Sequence, residues 1–186
     1  MYRARCRVNA GWIAGAVLAI VGCGAEPGAA VARAPSVERA RIVAAAREVM
    51  QKARYCALVT VGRDGQPQAR IVDPLAPEAD LSVWIATSPA TRKVDEIRAN
   101  PRVTLFYFDP AGPAYVTLHA MAGLVTGAAE KAAHWKGDWA PFYKDAHRDD
   151  DFILIRSKPT RLEIVSQGHG IVNEPVSWRP TTIELP

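Results

Sequence analysis

The chain has 186 residues, with 23 Lys and Arg against 19 Asp and Glu, a formal net charge of +4, and 49% hydrophobic and 23% charged residues. This composition fits one globular domain and excludes collagen-like, disordered and multi-span membrane proteins. Residues 1–22 contain Arg3, Arg5 and Arg7 and no acid, so the rest carries 20 basic and 19 acidic groups, a balance that gives no electrostatic basis for nucleic-acid binding.

In chain order, the three arginines precede an uncharged stretch, residues 8–22, whose apolar core spans 10–20. This is the pattern of a secretory signal peptide. An apolar run of roughly 13 residues is too short for the ~20 that a bilayer-spanning helix needs. The sequence Ile20-Val21-Gly22-Cys23 resembles the lipobox of bacterial lipoproteins, with Ile20 where Leu is usual. That resemblance implies cleavage before Cys23, acylation of Cys23, and a mature protein held at a membrane surface on the periplasmic side. The expected organisation is therefore a signal peptide over 1–22, a flexible tether over 23–36 and a folded domain over 37–186. The tether is rich in Ala, Gly and Pro and would span ~20 Å. Of the three cysteines only Cys56 falls in the domain, in an apolar run that predicts a buried, inert thiol.

Ser36 is a candidate N-cap, and Val37, Ala40, Val43 and Met50 recur at helical spacing, predicting an amphipathic helix over 37–53. Residues 55–61 and 66–72 flank Gly62-Arg63-Asp64-Gly65 and predict a β-hairpin. A third strand is expected over 81–87. Ser88-Pro89 then opens a short helix that Asn100-Pro101 stops. Strands are predicted over 103–109 and 114–126, and a helix over 128–143 that stacks Trp135 and Trp139 one turn apart. The last strand candidates are 152–157, 160–166 and 181–185. Hairpins rather than strand–helix alternation predict a mainly β, antiparallel barrel with flanking helices.

The segment most informative about function joins Arg70-Ile71-Val72 to Ala86-Thr87-Ser88-Pro89-Ala90-Thr91-Arg92-Lys93. Hydroxyls and two cations at the opening of a helix combine free N–H groups, the positive end of the helix dipole and charge-assisted hydrogen bonds, which suits a phosphate dianion. Strand alternation puts Gln68, Arg70 and Val72 on one face, so Arg70 would join that anion if the neighbouring strand carried Thr87. The competing reading is that Arg92 and Lys93 only pair with Asp95 and Glu96 on a solvated helix.

The spacing Ala86-Thr87-x-x-x-Thr91-Arg92-Lys93, followed by Asn100-Pro101 and an apolar strand, resembles the flavin-phosphate motif of the pyridoxamine 5′-phosphate oxidase-like split-barrel superfamily. Arg70-Ile71-Val72 is similar to that family's Arg-x-Val strand, and the resemblance covers residues 42–165. Ala57-Leu58-Val59-Thr60-Val61, the Gly65-Gln66-Pro67 turn and Tyr115-Val116-Thr117-Leu118 look most like its general stress protein 26 type. The resemblance implies a six-stranded Greek-key split barrel that forms a homodimer and binds FMN in clefts at the dimer interface, F420 and haem being the alternative cofactors. Arg70, Thr91, Arg92 and Lys93 would hold the phosphate. Ile71, Val72, Ala86 and Thr87 would border the ring and ribityl chain.

Three departures argue against vitamin B6 oxidation itself. No Lys follows the Arg-x-Val strand at Asp73-Pro74-Leu75, Ala86 stands where a tyrosine is common, and the C-terminal Arg-x-His is replaced by Trp178-Arg179-Pro180-Thr181. His119 and Met121 on the long strand are candidates to approach the ring from a partner chain, a structural histidine being the alternative, while Trp84, Trp135, Trp139 and Trp178 read as packing residues, with flavin stacking the alternative for Trp178. The resemblance thus implies a small flavin-dependent oxidoreductase of unspecified substrate, or a non-catalytic protein that sequesters its cofactor. Hydrolase elbows, Cys-x-x-Cys pairs and His-Glu-x-x-His helices are missing from the sequence. His134 with His147 makes a weak metal pair, and Asp149-Asp150-Asp151 reads as a solvated turn.

Overall fold

A computed structural model describes residues 34–143 and 151–186. The predicted signal peptide, Cys23, all but the end of the tether, His147, Asp149 and Asp150 lie outside the described residues. Among the described residues no helix is long and apolar enough to cross a membrane.

Helix α1 (Ala34–Ala53) starts two residues before the expected cap, so Ser36 lies inside its first turn. Pro35 is tolerated there, because the first-turn N–H groups have no intrahelical partner. The helix buries Ile42, Ala45, Ala46, Val49 and Met50, a 3–4 spacing that makes one face. β1 (Cys56–Val61) and β2 (Pro67–Val72) form the predicted hairpin, with Gly65 at φ 81° in its turn. β3 (Val83–Thr87) and α2 (Arg92–Ala99) follow, then β4 (Arg102–Asp109) and β5 (Ala114–Val125).

The expected helix over 128–143 is broken. Only Ala128–Ala133 is helical (α3), and a single 3-10 turn, Gly137–Trp139, follows. Gly137 and Asp138 are poor helix residues, and the break lets Trp135 and Trp139 meet edge to face at 6.1 Å rather than stack along one helix. The two strands expected over 152–157 and 160–166 are one, β6 (Ile153–Ser166). Pro159 is accommodated because the register with β5 slips there, His119 facing Arg161 and Ala120 facing Pro159, leaving Thr160 as a bulge. β7 (Thr181–Glu184) is the last strand.

The strands form one antiparallel sheet in the order β2-β1-β4-β5-β6-β3, with β7 also paired to β6. The expectation of six strands is thus corrected to seven. β3 pairs with residues 153–157 of β6 and β7 with residues 161–164, so the two short strands lie end to end along one edge of β6. Six strand positions hold seven strands. Nor is the path closed, since β2 and β3 stand at its two ends. The sheet nevertheless curls around one core. Leu58 of β1, Leu105 and Tyr107 of β4, Leu118 of β5, Leu162 of β6 and Ile85 of β3 share a single apolar cluster with the buried face of α1. A second cluster, Trp84, Trp139, Phe152 and Leu154, packs under the α3 region.

Candidate functional site

The two free ends of the sheet, β2 and β3, approach each other near the start of α2 and leave a cleft of about 300 Å³ between them. Arg70, Ile71, Val72 and Asp73 line one side, Ala86, Thr87 and Lys93 the other, and Trp139, Phe142 and Tyr143 the rest. Six of the eight predicted cofactor residues therefore meet in one place. Along β2 the expected alternation holds: Gln68, Arg70 and Val72 are half-buried while Pro67, Ala69 and Ile71 are exposed. The condition that the neighbouring strand carry Thr87 is not met. The neighbour of β2 is β1, with Arg70 opposite Leu58, and Thr87 reaches Arg70's side of the cleft only because the sheet curls.

On the β3 side a compact polar cluster forms. Lys93 Nζ donates to Thr87 Oγ1 at 2.9 Å, the hydroxyls of Thr87 and Thr91 lie 3.2 Å apart, and Thr91 Oγ1 donates to the Ser88 carbonyl at 2.9 Å. Because the Thr91 hydroxyl is engaged with Ser88, it does not cap α2, although Thr91 occupies the N-cap position. The Val94 N–H is taken up by the Thr91 carbonyl at 2.9 Å, so it is the Arg92 and Lys93 N–H groups, with the positive end of the helix dipole, that are left to an incoming anion. Lys93 is half-buried. Desolvation, with repulsion from Arg70, pulls its ammonium below the ordinary lysine value, and Glu96 opposes both.

The cations divide differently from the expectation. Arg70 donates to Glu96 Oε2 at 2.8 Å and to the Thr60 hydroxyl, and Arg92 Nε meets Glu96 Oε1 at 2.9 Å. The Glu96 side chain is 5% exposed and that of Arg70 19%, while that of Arg92 is 70% exposed. Burial raises the Glu96 carboxyl, but hydrogen bonds from Thr60 and Arg70 and the charges of both arginines outweigh it and hold it below the ordinary value. Arg92 lines a different depression, beside Gly62, Asp64 and Gln68. The ion-pair reading thus applies to Arg92, whereas Lys93 points into the cleft. Thr91 contributes through its contact with Thr87 and is not itself a cleft-lining residue.

Sequence reasoning missed the centrality of Thr60 and Glu96, and the lining roles of Asp73, Trp139, Phe142 and Tyr143. The clustering of four aromatic residues within 135–143 was the available signal. His119 lies outside the cleft, on the outer sheet face, with Nε2 at 2.9 Å from Arg161 and 3.3 Å from Glu163. Met121 is 43% exposed on the same face, and Trp178 is 76% exposed and lines no part of the cleft, so neither its packing nor its stacking reading holds in this structure. The Cys56 thiol is buried, and burial pushes it up to about 12 against a hydrogen bond with Tyr107, so it stays protonated at neutral pH.

Residues 42–166 match the sequence profile of the family described as Pyridoxamine 5′-phosphate oxidase. The chain belongs to this family. No curated protein matches it. Among solved structures it is similar to a protein from Clostridium acetobutylicum related to general stress protein 26 of B. subtilis, at 16% identity over 78% of this chain and 95% of that one (TM-score 0.65). The general stress protein 26 of Bacillus anthracis aligns at 17% identity over 78% and 99%, with a TM-score of 0.63. A pyridoxamine 5′-phosphate oxidase-related, FMN binding protein from Nostoc punctiforme aligns at 15% identity over 86% and 98%, with a TM-score of 0.52. At these identities the family members share a fold with this chain. Arg70 to Val72 and Ala86 to Lys93, the residues in which the sequence resembles that superfamily's flavin-phosphate motif, lie along the cleft and at the α2 terminus.

Proposed function

We propose that the protein binds FMN in the cleft between β2 and β3 and acts as a small flavin-dependent oxidoreductase of the general stress protein 26 type. The observation that carries this reading is the Thr87–Thr91–Lys93 cluster at the uncapped start of α2. It offers hydroxyl, ammonium and backbone N–H donors at one point, the donor set a phosphate monoester requires. Lys93 and Thr87 hold the phosphate, and Arg70, neutralised by Glu96, gives the adjoining wall shape more than net charge. The backbone from Arg70 to Val72 and the following Asp73 provides N–H and C=O groups along an edge that has no strand partner on that side among the described residues, a surface for the polar rim of a flavin. FMN, when bound, supplies hydride and electron transfer; the chain binds it, shields it and sets its surroundings.

The outer faces of β1, β4 and β5 support a homodimer. Phe106 and Phe108 are 40% and 53% exposed there, and Ile71 on β2 is 71% exposed, a contiguous apolar surface of the kind that marks an interface. Dimerisation would cover His119 and Met121 and carry them toward the partner's cleft. Export and acylation at Cys23 complete the proposal, placing the protein at a membrane surface on the periplasmic side.

The test is direct. Purified protein is titrated with FMN, any chromophore retained from the cell is released and weighed by mass spectrometry, and turnover is sought with nicotinamide donors. Binding with turnover supports the enzyme, and binding without turnover supports a sequestering protein. No binding of FMN overturns the reading. Membrane fractionation of Cys23→Ala tests the anchor separately.

A further inference from the structure

Four aromatic residues fall within 135–143, and three of them have ring partners. Trp135 meets Trp139 at 6.1 Å and Phe152 at 5.5 Å, and Tyr143 meets Phe152 at 5.3 Å. These contacts, with Trp84 and Leu154, make the second apolar cluster. Phe142 alone has no ring partner among the described residues, and it is 78% exposed. Yet it is not a loose surface residue, because it lines the same cleft as Arg70, Thr87 and Lys93.

Its position is held from several sides. The N–H groups of Phe142 and Tyr143 both donate to the Trp139 carbonyl, at 2.9 and 3.1 Å. Trp139 is buried in the cluster beneath. The segment is also tied to the residue after β2 and to the α1–β1 link: Lys136 Nζ donates to Asp73 Oδ1 at 2.7 Å, and Arg54 donates to Asp138 Oδ2 at 3.0 Å. Asp73 is itself a cleft residue. The backbone that carries Phe142 is thus held beside the cleft while its ring stays exposed, an arrangement that lowers the ordering cost for a ligand able to pack against it.

We propose that Phe142 is the ring-contacting residue of this site: the planar ring of a flavin packs on it while the phosphate sits at Thr87 and Lys93. The inference rests on the flavin reading above and adds the direction in which the ligand lies. It also separates two ends of one site, an anion end on α2 and an aromatic end on the 3-10 turn.

Titration of wild-type protein, Phe142→Ala and Phe142→Trp with FMN and with riboflavin, which has the ring but no phosphate, tests it. Phe142→Ala is expected to weaken both ligands by the same factor, roughly tenfold. Phe142→Trp should restore affinity to within about threefold of wild type, and because the side chain is exposed neither variant should change the melting temperature. Wild-type affinity of Phe142→Ala for both ligands overturns the proposal and leaves the flavin reading standing. Loss of FMN affinity with riboflavin untouched also overturns it, since the effect then belongs to the phosphate end. If wild-type protein binds neither ligand, the flavin reading falls and this inference with it.

Discussion

Lys93 and Arg92 are adjacent in sequence but differ in what they face. Lys93 is half-buried against Thr87 inside the cleft, whereas Arg92 is mostly exposed and engaged by Glu96. A charge-assisted hydrogen bond is worth ~1.5–3 kcal/mol, so Lys93→Ala should weaken FMN by roughly 10- to 100-fold in a titration. Arg92→Ala should change it by less than about threefold. Glu96 carries a different burden. It is buried between Thr60, Arg70 and Arg92, and Glu96→Ala leaves Arg70 without its counter-charge. Breaking a fully buried pair costs ~3–5 kcal/mol, and with Arg70 still 19% exposed we expect about 2–3 kcal/mol from urea unfolding. The folded-state Glu96 pKa is depressed. Its contribution is therefore present above the ordinary carboxylate range and is lost as pH falls through the lower folded value, so the wild-type advantage over Glu96→Gln should shrink on acidification.

At the scale of elements, the 3-10 turn depends on Trp139. Burying this indole in the second cluster fixes the turn that carries Phe142, and Trp139→Ala should cost ~3–5 kcal/mol by thermal or chemical unfolding. FMN affinity should fall with it, whereas Phe142→Ala lowers affinity alone. Most of the hairpins and helices were legible in the sequence because their signals are local: Gly65 at positive φ in the first turn, Asn100-Pro101 after α2, and alternation along β2. The errors have a common origin in contacts distant along the chain. The strand candidates 152–157 and 160–166 stop on either side of Pro159, yet a bulge against His119 and Ala120 lets β6 run through it. Helical spacing linked Trp135 to Trp139, but burial against Phe152 and Trp84 overrode it. The motif residues around the cleft were found by their spacing; that Glu96 neutralises Arg70 was not, since nothing local shows which acid on a helix will be buried.

At the scale of the whole molecule, the exposed Phe106 and Phe108 should be covered in a homodimer. Phe106→Glu is expected to convert a dimer to a monomer by light scattering, leaving circular dichroism unchanged because the residue points away from the core. The sheet also has an unusual margin. Its first and last positions, β2 and β3, border the same cleft without a hydrogen bond ladder between them. The Leu75 N–H donates to the Trp84 carbonyl at 2.9 Å just beyond β2, and a cofactor bound in the cleft would bridge the rest of that seam and act as a clasp on the domain. Occupancy and folding are then linked by mass action: at a hundred times the dissociation constant the ligand adds about 2.7 kcal/mol, and amide exchange should slow along both lips of the seam at once.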